Sequence, residues 1–258
     1  MSKKPDLKGL AGTILDGDGD FDQVRILGGL HCRGSLNAKE VNVKGSIKVD
    51  GSLWAEDIEV LGGITVGADV IADYEVNIMG GIKAGGKLQG REITVQGGVD
   101  VGEDLKAALL EVKGGVKTGG KINIDGHIDV EGGIKADREI IADNLIAIGG
   151  FTSKRNVKVT KSIVARGKIE VEEDVECDSF EFKISGPSVI NGKLQANKIK
   201  IDLDEKARNT AYLRVTEIVS PNKIDIDYVI AEKVICPKIN AGENCRIGDP
   251  IDRAYDPS

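Results

Sequence analysis

The amino-acid sequence predicts an all-β fold, a single-stranded triangular β-helix of about 13 coils in which each coil takes about 17 or 18 residues. Three observations predict this fold. Glycine pairs recur through the first 150 residues, three apolar-x-apolar segments follow in each repeat, and only 3% of the residues are aromatic. Because aromatic side chains bring the largest buried areas to ordinary cores, their scarcity predicts a narrow interior filled by Ala, Val and Ile.

The glycine pairs set the repeat length. With Gly45-Ser46 filling one gap, successive pairs are spaced by about 17 or 18 residues, too short for a helical repeat. Glycine accepts positive φ and close backbone approach, so we expect each pair at a corner of the prism. A phosphate-binding loop would need a helix after the glycines, and no helical periodicity follows them. The pairs are Gly28-Gly29, Gly62-Gly63, Gly80-Gly81, Gly97-Gly98, Gly114-Gly115, Gly132-Gly133 and Gly149-Gly150.

Three strands are predicted in each coil, because three segments alternate apolar and polar residues with the period of a half-buried strand. In one coil the first segment is 47–49, the second is 53–55 and the third is 58–60. Two coils are longer than the others, and each has one extra residue between its second and third segments, at 72–76 and 124–128. We therefore predict a bulge at that corner in these two coils.

Beyond residue 150 the glycine pairs disappear, but the apolar-x-apolar segments continue. These less regular coils predict the same solenoid built with other corner residues. The final example of the second segment is predicted at 229–231, and the final example of the third segment at 234–236. Residues 204–210, Asp-Glu-Lys-Ala-Arg-Asn-Thr, break the pattern and predict a protruding loop.

The β-helix is expected over 12–247, with short flexible tails at 1–11 and 248–258. The start, Met-Ser-Lys-Lys-Pro, has no apolar stretch of a signal peptide, and no apolar run is long enough to span a membrane. We therefore expect a cytoplasmic protein. A net charge of −7 argues against nucleic acid as a partner, because binding phosphates needs a basic stripe.

The four cysteines show no C-x-x-C spacing. Cys32, Cys177 and Cys236 fall on predicted inward positions, where a free cysteine behaves as a small apolar residue. The role of Cys245 stays open, since a disulfide to Cys236 would be unusual in a cytoplasmic chain.

Residues suited to catalysis or metal binding are few. The γ-class carbonic anhydrases hold zinc with three histidines, whereas this chain has only His31, predicted outward, and His127, predicted in a bulged corner. The acidic stretch 16–22 suggests a calcium loop, but an EF-hand would need Gly and Glu where the chain has Phe21 and Leu27. Because the other carboxylates are spread over all faces, we expect no enzyme, metal or cofactor; an acyltransferase or sugar-active enzyme is the third alternative.

Several apolar side chains are predicted to face outward. Trp54, the single tryptophan, and Ile71 are neighbours in the outward row of the second strand, and Ile141, Ile146 and Ile148 belong to one coil. Clusters of exposed apolar residues often mark contact sites. We predict that a partner or a second copy covers them, with coverage by the tails as the alternative.

The repeat resembles the bactofilins, the polymer-forming cytoskeletal proteins of bacteria. The likeness lies in Gly-punctuated coils such as Val-Lys-Gly-Ser-Ile-Lys-Val-Asp-Gly-Ser-Leu-Trp-Ala-Glu-Asp-Ile, residues 43–58, and extends over 12–247. The resemblance implies a right-handed triangular β-helix, nucleotide-free end-to-end polymerisation and a cytoplasmic scaffolding role, often at the membrane. The family's usual core is shorter, and its apolar membrane-targeting segment has no match in residues 1–5.

The sequence therefore predicts a non-enzymatic protein that polymerises with itself and acts as a scaffold for client proteins. A solenoid ends in unpaired strands and open core, which act as a template for another chain. Phe21 and the coils from Ile224 and Ile226 onward are the predicted meeting faces. The alternative is a β-helical subunit or module of a larger complex, similar to the Gly-rich domains of glutamate synthase or formylmethanofuran dehydrogenase.

Overall fold

The computed structural model of the protein describes residues 4–10, 12–207 and 210–248. The described residues contain no helix, and their strands pair in parallel to form a β-solenoid of about 14 coils, which confirms the predicted fold class. The chain forms two compact units, the first ending at Val130 and the second beginning at Glu131.

The first unit stacks short strands on three faces. On the first face β6 pairs with β9, on the second β7 pairs with β10, and on the third β8 pairs with β11, always in parallel. Its strands are β1 (Leu7–Gly9), β2 (Thr13–Leu15), β3 (Gly19–Ile26), β4 (Leu30–Cys32), β5 (Leu36–Val43), β6 (Ile47–Val49), β7 (Leu53–Ala55), β8 (Asp57–Val60), β9 (Ile64–Val66), β10 (Val70–Ala72), β11 (Glu75–Ile78), β12 (Ile82–Ala84), β13 (Leu88–Gln89), β14 (Glu92–Val95), β15 (Val99–Val101), β16 (Leu105–Val112), β17 (Val116–Thr118) and β18 (Ile122–Val130).

The pairing register confirms the predicted repeat. Ala72 lies beside Ala55 and Val76 lies beside Ile58, so the chain takes one more residue to round this corner than it does in the coil before. The pairing of β16 with β18 shifts at the second predicted bulge. At the N-terminus β1 already pairs with β3, because Leu7 and Gly9 continue the apolar-x-small alternation one strand earlier than the predicted boundary at residue 12. Residues 1–3 and 249–258 of the two predicted tails lie outside the described residues.

The two glycines of the pair Gly97-Gly98 have different roles at the corner. A Cβ on Gly97 would lie 2.7 Å from the carbonyl oxygen of Gly80 in the preceding coil, whereas a Cβ on Gly98 would meet only the carbonyl oxygen of Gly115 at 3.5 Å. Neither glycine has a φ in the left-handed region. In this pair close stacking of coils explains the first glycine, and packing leaves room for a side chain at the second. The last pair differs, because Gly150 has a φ of 85° and a Cβ there would clash with the backbone of Lys168.

A row of polar side chains at the corner between the first and second faces, here called the corner ladder, ties each coil to the next. Asp18 Oδ1 accepts the N–H of Ser35 at 2.7 Å, and Ser35 Oγ accepts the N–H of Ser52 at 3.2 Å. Ser52 Oγ then accepts from Asp69 at 3.3 Å, and Asp69 Oδ1 from Lys87 at 2.8 Å. These bonds satisfy backbone donors at corners where strand pairing stops.

The second unit also forms coils with three faces, but from longer strands. β22 has 15 residues and β24 has 16, so these strands run through corners, and Gly167 inside β22 has a φ of 133° at one of them. The strands of this unit are β19 (Ile134–Ala136), β20 (Ile140–Ala147), β21 (Gly150–Ser153), β22 (Val157–Val171), β23 (Val175–Ile184), β24 (Ser188–Leu203), β25 (Leu213–Val219), β26 (Lys223–Ile226), β27 (Val229–Ile235), β28 (Lys238–Ala241) and β29 (Arg246–Ile247).

Aromatic rings fill part of the core of this unit. Phe151, Phe180 and Phe182 are fully buried, and the rings of the last two meet edge to face with centroids 6.2 Å apart. The prediction of an interior too narrow for rings is therefore wrong here. The stacked position before Phe182 is Ala165, and before that Ala147, so small residues leave the volume that the ring takes.

The predicted loop 204–210 begins inside the protein. Asp204 is only 4% exposed, accepts hydrogen bonds from Arg166 Nε and, at 3.1 Å, from Arg166 Nη2, and also accepts the N–H of Lys206 at 2.9 Å. The Arg166 guanidinium lowers the pKa of the Asp204 carboxyl below its usual value. Residues 208 and 209 lie outside the described residues.

A long coil followed by shorter ones shifts the predicted register. Ser188 pairs with Leu213, so the coil that contains residues 204–210 is longer than the repeat. Val229 then pairs with Leu213 on the first face, so 229–231 is a first-face strand and not the predicted second segment. Ile224 pairs with Ile239, which makes this coil shorter than any coil of the first unit. A register extrapolated with the period of the glycine pairs fails after the long coil.

Candidate assembly interface

The predicted outward residues face outward, but they do not form one surface. Trp54 is 40% exposed and lies beside Ile71 in the pairing of β7 with β10, so these two side chains form a small apolar patch. Ile141 is on the second face, Ile146 is on the third, and Ile148 is at the following corner. The three isoleucines of the predicted cluster therefore lie on different sides of their coil.

Phe21 lies at the N-terminal end, where the sequence placed a meeting face. It pairs with Ala38, whereas Gly19 pairs with Leu36. A Cβ on Gly19 would lie 2.7 Å from Cε2 of Phe21 and 3.3 Å from Leu15, so the ring occupies the space that a side chain at 19 would need. Phe21 is half-buried and fills the core of the first coil.

Ile224 and Ile226 do not lie at a meeting face. Their side chains are 0% and 3% exposed, because β28 stacks on β26 and covers them. This part of the sequence prediction is wrong. The pattern located the last regular coil but not the shorter coil that follows it.

The C-terminal end instead presents β28 and β29. Ile239 occupies the inward position above Ile224 and is 39% exposed, and Ile247 occupies the inward position above Ala231 and is 41% exposed. The covered residues below them are both 0% exposed. Among the described residues nothing covers Ile239 or Ile247.

A row of exposed apolar residues was missed by the sequence reasoning. Leu27, Leu61 and Met79 precede their glycine pairs, lie in one row at the corner between the third and first faces, and are exposed. The sequence contains a signal for them, because the residues that directly precede the glycine pairs form a fourth row of equivalent positions in the repeat. Next to this corner the first face forms an open groove of about 700 Å³, whose lining includes Gly29 and Gly63.

The acidic stretch 16–22 uses its carboxylates one at a time. Asp16 pairs with Arg33 at 2.6 Å, Asp20 with Lys4 at 2.7 Å, and Asp22 with Lys39 at 3.0 Å. Asp18 in addition accepts a hydrogen bond from the backbone N–H of Ser35. These separate pairs anchor the acidic turn to neighbouring parts of the chain. Within the described residues no group of three or more His, Cys, Asp or Glu side chains could hold a metal ion.

The thiols and imidazoles are engaged in packing or in surface pairs. Cys32 and Cys177 are core residues as predicted, and burial raises the pKa of the Cys177 thiol to about 12. Cys236 is half-exposed, although it follows Ile235 at the inward position next to buried Ser220, as predicted. Cys245 is free, and its Sγ donates to the carbonyl of Ile226 at 3.4 Å. His31 points outward, with Nε2 3.1 Å from Asp50.

The fold and these surfaces define a β-solenoid protein with an open apolar end. No protein-family model, curated protein or solved structure matches the chain. In the parts of the chain that the structure describes, no helix is long and apolar enough to cross a membrane.

Proposed function

We propose that the protein is a non-enzymatic structural protein that assembles end to end into filaments and serves as a cytoskeletal scaffold in the cytoplasm. The observation that carries this proposal is the open C-terminal end. Ile239 and Ile247 continue the inward rows of the core but lack the coil that covers Ile224 and Ala231.

Both the core and the backbone favour covering this end. Completing the burial of a partly exposed isoleucine stabilises an interface by about 1 kcal/mol. An outer strand also leaves a row of N–H and C=O groups that can pair with a further strand. A second copy supplies both at once, because its first coil also consists of parallel strands with inward apolar residues.

The chemistry of the potential catalytic groups is consistent with a structural role. The thiols of Cys32 and Cys177 have raised pKa values, mainly because of burial, and such thiols are poor nucleophiles. Asp50 binds both His31 and Lys48, and these partners lower its pKa. These features support a scaffold more than an acyltransferase.

A substitution at the open end tests the proposal. We expect Ile239→Asp combined with Ile247→Asp to abolish filaments in negative-stain images of pure protein without nucleotide, and to leave monomers in sedimentation velocity. Val164→Asp is the matched control, because Val164 is 38% exposed on a side face of the same unit. Uniform wild-type monomers at high concentration would rule the proposal out.

A second candidate function is a β-helical subunit or interaction module of a larger complex. The exposed row of Leu27, Leu61 and Met79 and the patch of Trp54 and Ile71 favour it, because they lie on side faces that end-to-end stacking leaves uncovered. Leu61→Ser with Met79→Ser should then release a stoichiometric partner from the protein purified from its source. The same variant should still form filaments if only the first function holds.

A further inference from the structure

The row of exposed apolar residues at the corner between the third and first faces begins one coil before Leu27. Leu10 precedes Leu27 in this row, because Gly9 pairs with Ile26, and Leu10 is 85% exposed. With coils about 4.8 Å apart, the row from Leu10 to Met79 is about 19 Å long, which is the length of about six extended residues. We call these five residues of the first unit the apolar edge: Leu10, Leu27, Lys44, Leu61 and Met79.

Two open grooves flank the apolar edge. The groove on the first face has a volume of about 700 Å³, and the groove on the third face has a volume of about 530 Å³. Ser46, Gly63 and Gly81 line the first groove, and their carbonyl oxygens already accept N–H groups of the preceding coil. Leu10 and Leu27 line the second groove. The grooves therefore suit aliphatic side chains of a partner.

Carboxylates are nearly absent from the grooves, although the chain has a net charge of −7. No Asp or Glu lines the first groove. Glu40 lines the second groove and pairs with Arg25 at 3.2 Å, and Glu59 on the third face lies outside both grooves. An anionic partner would therefore meet little repulsion at the apolar edge.

Two lysines supply positive charge that the protein itself does not neutralise. Lys44 belongs to the apolar edge, and Lys83 lines the first groove beside Thr65. Both are exposed, and neither makes an ion pair within the described part of the chain. They lie two coils apart, about 10 Å along the edge, which is the length of about three extended residues. Acidic side chains at that spacing in an extended segment can reach both lysines.

The chemistry of this surface favours one class of partner. Neither groove is lined by Phe, Tyr or Trp, so the bases of a nucleic acid have no ring on which to stack. A second copy docked symmetrically would place this basic surface against itself. A flat bilayer would contact the apolar edge but leave the grooves beside it unfilled. An acidic polypeptide with aliphatic side chains fits both the charge and the shape.

We propose that the apolar edge and its two grooves bind an extended acidic segment of a client protein. Aliphatic side chains of the segment pack in the grooves, and its carboxylates bind Lys44 and Lys83. This inference rests on the scaffolding role in the proposed function, because it names the chemistry of the client. It does not depend on filament formation, since all the residues of the site belong to one copy.

Fluorescence anisotropy with labelled peptides tests the site on the full chain. The probe is a peptide of about eight residues that alternates Glu and Leu, slightly longer than the apolar edge. One control peptide alternates Lys and Leu, and another alternates Glu and Ser. We expect both controls to bind about tenfold more weakly than the probe, because each lacks either the charge or the apolar side chains. Equal binding of the Lys-Leu peptide, or no binding of the probe at millimolar concentration, would overturn the proposal.

Charge reversal locates the binding site of the probe. Lys44→Glu with Lys83→Glu should weaken its binding by about tenfold, the combined effect of two exposed ion pairs. Lys113→Glu with Lys117→Glu is the matched control, because these lysines continue the same two rows beyond the apolar edge. This control should leave binding unchanged, and an equal loss in both double variants means that the probe does not bind at the apolar edge.

Two further measurements separate this proposal from a membrane site and from the proposed function. If vesicles of phosphatidylglycerol and phosphatidylcholine cosediment with the protein through Lys44 and Lys83, but the probe does not bind, the surface is a membrane site and the proposal is wrong. Negative-stain images report on assembly independently. Filaments without probe binding overturn only the client site, whereas probe binding without filaments overturns only the filament part of the proposed function.

Discussion

The two units build similar three-faced coils from different residues. In the first unit many strands are short and glycines stack at one corner, whereas in the second unit β22 and β24 run through corners. The glycine corner continues into the second unit as far as Gly167, which has a φ of 133°, and in the later coils Ile184 and Leu203 take the paired positions. The glycine corner leaves a regular sequence signature, and the later corners do not.

The cores differ in the same way. The first unit fills most of its interior with aliphatic residues, whereas the second also buries three rings, one of which, Phe182, stacks on Ala165. The low aromatic content correctly predicts an aliphatic interior for most of the first unit. It does not exclude a buried ring in a coil whose neighbour supplies a small residue at the stacked position.

The largest effect that would sharpen this comparison is the loss of a ring in the second unit. We expect Phe182→Ala to lower the free energy of unfolding by about 3 to 5 kcal/mol, because the stacked alanine cannot fill the cavity. Val60→Ala, at the corresponding inward position of the first unit, should cost clearly less. Urea denaturation followed by circular dichroism measures both, and equal losses would contradict the proposed difference between the cores.

The next effect separates the two glycines of a pair. We expect Gly97→Ala to cost about 1 to 3 kcal/mol, because its Cβ would press on the backbone of the preceding coil. Gly98→Ala should be neutral or slightly stabilising, since the Cβ meets only ordinary contacts and alanine restricts the unfolded chain. Thermal unfolding of the two single variants is the measurement. A similar loss in both would mean that the second glycine also has a structural role.

A smaller effect is expected along the corner ladder, which occurs in both units. Asp69→Ala in the first unit and Asp174→Ala in the second each remove an acceptor for a backbone N–H of the next coil. We expect each to cost about 1 kcal/mol. Asp69→Asn and Asp174→Asn keep an acceptor and should lose less. Hydrogen exchange of the Lys87 and Lys193 N–H groups measures the loss of each bond directly. If the substitution in one unit changes neither exchange nor stability, the corner ladder stabilises only the other unit.

The smallest global effect is expected from pH, at a site that only the second unit has. Because the pKa of Asp204 is lowered in the folded protein, its contribution is present above the ordinary carboxyl pKa of about 4 and is lost as the pH falls through the folded value. We expect proteolysis near Lys206 to accelerate below about pH 4. Arg166→Gln should raise the pH at which proteolysis begins to accelerate. If that pH is unchanged in the variant, Arg166 is not the cause of the pH dependence.

The sequence was sufficient for the fold and for the first unit in some detail, because each residue there repeats a position seen in neighbouring coils. It failed after the long coil that contains residues 204–210, so that 229–231 was placed on the wrong face, and it counted the buried Ile224 among the contact residues. Phe21 was located correctly in the first coil. The open end at Ile239 and Ile247 escaped detection, because exposure there depends on which coil is last and not on any local pattern.

The irregular corners show how a stacked fold accepts an insertion. In the first unit the coils with an extra residue at 72–76 and 124–128 lie beside coils without one, and the strands pair in register on both sides of the extra residue. This corner is therefore a place where the chain can gain a residue without disturbing the inward rows of the faces.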